Sequence, residues 1–124
     1  MAGACLFANE NNTLFYLMGI LNSNVVMALL EAMSPTLNFE GGQISSLPIV
    51  YSKENDVVVE NIVNENIRQS KSDWDSFETS WDFKKHPLIR PVSAIADAFA
   101  QWESECSERF SQLKVNEEEL NRIF

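Results

Sequence analysis

The chain has 124 residues, 45% of them hydrophobic, and a formal net charge of −9. That length suits one domain with one buried core, and the negative balance argues against strong autonomous binding to phosphate. No run of about 18 apolar residues occurs, so no membrane helix is expected. The apolar stretch Leu14 to Leu30 is interrupted by Gly19 and Asn22-Ser23-Asn24, and it has no basic leader.

Met1 to Asn12 reads as a loose opening, with Leu6-Phe7 ending a short strand and Asn9 to Asn12 forming a turn. Thr13 is the expected N-cap of a first helix, whose Leu14, Leu17, Met18 and Leu21 share one face, widened by Phe15 and Ile20. Asn22-Ser23-Asn24 breaks that helix and caps the next. Val25 to Met33 then forms a second short helix with Val26, Leu29, Leu30 and Met33 inward. Ser34-Pro35 ends it, because proline disfavours the helical basin for the residue before it.

From Leu37 to Val50 the period changes. Leu37 and Phe39 alternate with Asn38 and Glu40, Gly41-Gly42 supplies a turn, and Ile44, Leu47 and Ile49 resume an apolar pattern. A small β element of two or three strands over residues 37–50 is expected. Pro48 favours an edge. Ser52 is the expected cap of a helix over residues 54–70 that buries Val58 and Ile62, with Val59, Val63 or Ile67. Asp56 suits its first turn.

Ser70 to Leu88 organises the rest. Trp74, Phe77, Trp81 and Phe83 interleave with Asp73, Asp75, Glu78 and Asp82, before Lys84-Lys85-His86 reverse the sign. The spacing of 74, 77 and 81 is helical. Rings of that area are expected to form a structural anchor at residues 73–83 that packs against Trp102. Lys84 to Pro91 reads as a linker. Ser93 then caps the longest helical signal, with Ile95, Phe99, Trp102, Cys106, Phe110 and Leu113 in a near-heptad seam. Asn116 is a plausible second cap. The fold class expected is α+β, mostly α.

Taken together, SKSDWDSFETSWDFKKHPL, LNSNVV, LNFEGGQISSLPIV and QWESECSERFSQLKVNEEELNRIF resemble the large adenine-specific DNA methyltransferases of BREX-type phage-defence systems. These are relatives of fused restriction–modification methylases, and the likeness covers nearly all of the chain. The run from Trp74 to Pro87 is its most specific part. Family proteins are far longer, so the resemblance implies a piece lying C-terminal to the catalytic core. It also implies that residues 1–51 close a target-recognition-like region and that residues 52–124 form a helical spacer, the two as one compact unit.

An amino-methyltransferase needs a glycine-rich loop for S-adenosylmethionine and an Asn/Asp-Pro-Pro-aromatic motif for the flipped adenine. The glycines here are Gly3, Gly19, Gly41 and Gly42, and no Pro-Pro occurs. No catalytic, cofactor or metal residue is therefore assigned, and S-adenosylmethionine belongs to the parent protein. His86 has no second ligand at metal spacing. Cys5 and Cys106 stand apart, which suits a reducing cytoplasm. The carboxylates around the rings read as a solvated face.

Lys84, Lys85 and Arg90 are the leading candidates for DNA phosphate contact, against the plain alternative of a solvated linker. The resemblance adds Asn38 and Gln43 as base-edge candidates or turn residues. DNA is expected as a partner through the parent, weakly or not at all for the chain alone, together with other parent domains. A specificity-subunit fragment with a coiled-coil spacer, and a helical module that recruits a partner protein, are the competing readings.

Overall fold

The computed structural model describes residues 5–8, 11–34 and 39–124, and the side chains of the first helix from Thr13 onward. Five helices follow one another: α1 (Asn11–Leu21), α2 (Asn24–Met33), α3 (Gly41–Ser45), α4 (Asp56–Trp74) and α5 (Ile95–Ile123). Two compact units result. One holds residues 1–64 with 117–124, and the other holds 65–116.

In the first unit, α1 and α2 meet at the break read from Asn22-Ser23-Asn24. Ser23 is the N-cap of α2, and its Oγ accepts from the Val26 amide at 3.4 Å while donating to the Ile20 carbonyl at 2.7 Å. The core is Ile20, Val26, Leu30 and Leu47, with Leu17, Phe39, Ile44 and Phe124 packed against it. Tyr16 is buried beside it. Its hydroxyl donates to the Val50 carbonyl and accepts from the Ser52 amide, both at 3.1 Å. The Phe124 ring meets it edge-on at 5.4 Å. Gly19 lets α1 approach α4 closely: a Cβ there would lie 3.1 Å from Val59 Cγ1 and 3.2 Å from Val63 Cγ2.

The expected β element is not there, and the fold is helical with no strand among the described residues. Leu37 and Asn38 lie outside those residues. Gly41 and Gly42 open α3 instead of a hairpin turn, and Gln43 Oε1 accepts from the Glu40 amide at 2.8 Å, half of a capping box. A period-2 signal this short has no second strand to pair with. Leu47 is buried by insertion into the helical core. Leu6 and Phe7 likewise form no strand.

The inward faces also differ from expectation in part. Leu14, Met18, Leu29, Met33 and Val58 are exposed and Tyr16 is buried, whereas Val59 and Val63 are buried as expected. In the second unit, α4 continues past residue 70, where the helix was expected to end, and stops at Trp74. Residues 75–82 are turns and bends, so no helical face carries Trp74, Phe77 and Trp81 together. α5 runs through Asn116 without a second start. The Asn116 side chain is bonded to Asn66 and to Gln112, which leaves it no role as a cap.

Candidate functional site

The second unit pairs α4 and α5 segments with the turn-rich segment of residues 75–94, and two of its cations, Lys71 and Arg90, hold that segment through ion pairs. Lys71, one turn before the end of α4, reaches Asp75 Oδ2 at 2.7 Å and Asp82 Oδ2 at 2.5 Å. Ser80 Oγ donates to Asp75 Oδ1 at 2.6 Å and accepts from the Asp82 amide. The bond from Lys71, and then that from Ser80, holds the Asp75 carboxyl below the usual range.

Further along, Arg90 is fixed on both sides. Its Nε donates to the Pro87 carbonyl at 2.5 Å, and its Nη1 and Nη2 grip Glu105 at 2.6 and 2.7 Å. This is a bidentate pair of the strong kind, and it lowers the Glu105 pKa while raising that of Arg90. On α4, Glu65 accepts from Arg68 and from Gln69, which brings its pKa down to about 2.

These bonds sort the residues singled out from sequence. Lys84 and Lys85 are exposed and line a shallow groove with Arg68, Lys71, Asp75 and Asp82. Arg90 is committed to Glu105, and Gln43 to the α3 cap, so neither is free to reach DNA without breaking a bond. Asn38 lies outside the described residues. Among the rings, Trp81 is fully exposed, Trp74 and Phe77 are at least half exposed, and Phe83 and Trp102 are partly buried. Trp81 therefore anchors no core within this chain. Trp102 sits 6.4 Å from the His86 ring, centroid to centroid.

Sequence reasoning missed three features. The Glu65, Arg68 and Gln69 cluster was legible from its i, i+3 and i, i+4 spacing. Glu105 as the Arg90 partner was not, since 15 residues separate them. A second opening is a cleft of about 400 Å³ lined by Trp74, Phe77, Phe110 and Leu113, together with Gln69, Asp73 and Arg109.

No family model matches the chain. Over 128 residues, covering 98% of the chain, it is 41% identical to the adenine-specific methyltransferase PglX of Lacticaseibacillus casei (strain Zhang). Over 123 residues, again 98% of the chain, it is 30% identical to the adenine-specific methyltransferase BrxX of Escherichia coli O9:H4 (strain HS). The chain spans 10% of the length of each. It thus corresponds to a segment of a BREX-type methyltransferase.

Proposed function

We propose that this chain is a non-catalytic helical segment of a site-specific adenine DNA methyltransferase from a phage-defence system, acting in the cytoplasm. There it contributes to target recognition or domain positioning, and the geometry favours positioning. The observation that carries this is the use of charge. Lys71 and Arg90 tie the turn segment to α4 and α5 within the second unit, while Trp74, Phe77 and Trp81 are left outward. A surface of that kind serves packing by other protein better than it serves phosphate. S-adenosylmethionine and the flipped adenine belong to the parent's catalytic core, and DNA is met through the parent.

A second reading, direct DNA contact, is favoured by the exposure of Lys84 and Lys85 on one groove. One experiment on the full-length methyltransferase separates the two. Under the positioning reading, Glu105→Ala lowers methyl transfer several-fold and leaves duplex affinity unchanged, while the double change Lys84→Ala and Lys85→Ala does little. If the lysine pair instead weakens duplex binding with a reduced salt slope, and Glu105→Ala is silent, contact replaces positioning.

A further inference from the structure

The cleft beside the end of α4 has a composition that specifies its occupant. Trp74, Phe77 and Phe110 are each at least half exposed, although they line one concave space with Leu113. Gln69 lines the same space and is only 5% exposed. Its Nε2 donates to Glu65, but its Oε1 is buried and accepts from no donor among the described residues. A buried carbonyl without a donor is costly, and the cost is removed by a ligand that brings one. The two charges in the lining, Asp73 and Arg109, face each other at 3.6 Å, so the cleft asks for no net charge.

We propose that this cleft receives a tryptophan or tyrosine side chain from another part of the same methyltransferase polypeptide, the ring lying among Trp74, Phe77 and Phe110 and its N–H or O–H reaching Gln69 Oε1. The inference rests on the positioning role proposed above and names the contact that performs it. An aromatic ring with one neutral donor matches a largely apolar wall that includes one buried carbonyl lacking a donor, Gln69 Oε1, alongside the Ser70 hydroxyl. A nucleobase would offer the same ring chemistry, but it arrives with phosphates, and this chain carries −9 with no excess cation at the cleft. The relatives supply the source: 90% of their length lies outside the segment matched here.

The test places p-benzoylphenylalanine at Phe110 in the full-length methyltransferase, irradiates it with and without an unmodified duplex, and maps crosslinks by mass spectrometry. The expected product is an intramolecular crosslink to a segment outside these 124 residues that carries a tryptophan or tyrosine. Adding Trp74→Ala should cut its yield by about tenfold, because tryptophan is enriched among the few residues that carry most of an interface's energy. Trp74 is exposed in this chain, so its folding is not at stake, and Phe77→Ala provides a second variant. A crosslink to the duplex, to a segment without either residue, or to nothing overturns the proposal. Methyl transfer by wild-type protein and by Glu105→Ala, run alongside, tests the positioning role separately. A Glu105→Ala defect without a crosslink defeats the cleft alone, and a crosslink without that defect defeats positioning alone.

Discussion

Asn116 of α5 donates through Nδ2 to Asn66 Oδ1 of α4 at 2.7 Å, and its own Oδ1 accepts from Gln112 at 2.8 Å. Asn116 is buried, so this polar chain fixes the register of the two helices where an apolar pair would allow sliding. Asn116→Leu leaves Asn66 without that partner and should cost about 1–3 kcal/mol. Changing Asn66 to Leu as well should recover most of the loss. Thermal melts of the two single variants and the double variant check this, and a double variant as unstable as the sum of the singles refutes it.

Gly19→Ala should destabilise the first unit despite alanine's better helix propensity. Propensity favours the change by about 1 kcal/mol. Against it stand Val59 and Val63, both buried and β-branched, whose methyls lie 3.1 and 3.2 Å from the new Cβ. Such overpacking typically costs about 1–3 kcal/mol. The net expectation is a lower denaturation midpoint, and a raised midpoint counts against the close approach of α1 and α4.

Trp81→Ala tests the exposure of that ring directly. A ring buried as a core anchor would cost about 3–5 kcal/mol on truncation. Trp81 is fully exposed, so the change should stay within about 0.5 kcal/mol in this chain. A chemical denaturation curve distinguishes the two outcomes without ambiguity.

Acid should weaken the second unit. The Glu65 pKa falls from 4.5 to about 2, first through Arg68 and then through Gln69, and Asp75 and Glu105 are lowered as well. A lowered carboxyl contributes stability that is present above its unfolded pKa and lost as pH falls through its folded pKa. The loss attached to Glu65 therefore falls between about pH 4.5 and 2. Glu65→Gln should flatten that limb of a pH-dependent melt, and an unchanged limb would show that these exposed pairs contribute nothing measurable.

Much of the helical layout was legible. The Asn22-Ser23-Asn24 break is set by local side-chain capping, which depends on neighbours in sequence, and α2 begins one residue from its expected start. Faces were harder, because both sides of α1 and α2 are apolar and periodicity could not choose between Leu14 and Tyr16. The β reading of residues 37–50 failed where a local bond, Gln43 to Glu40, outweighed a weak alternation. At the candidate site, Lys84 and Lys85 were legible as the sole Lys-Lys pair. The Glu105 partner of Arg90 was not legible, because it comes from a distant turn of α5.

The Tyr16–Phe124 ring contact also has a consequence for the order of synthesis. Residues 65–116 form one continuous stretch, all of it synthesised before the first unit is complete, because the first unit draws on residues 117–124 as well. Its earliest-made helix, α1, must wait for the side chain of Phe124. Until then Tyr16, Ile20 and the α4 valines have an open flank, and of the two units the one begun first is the one completed last.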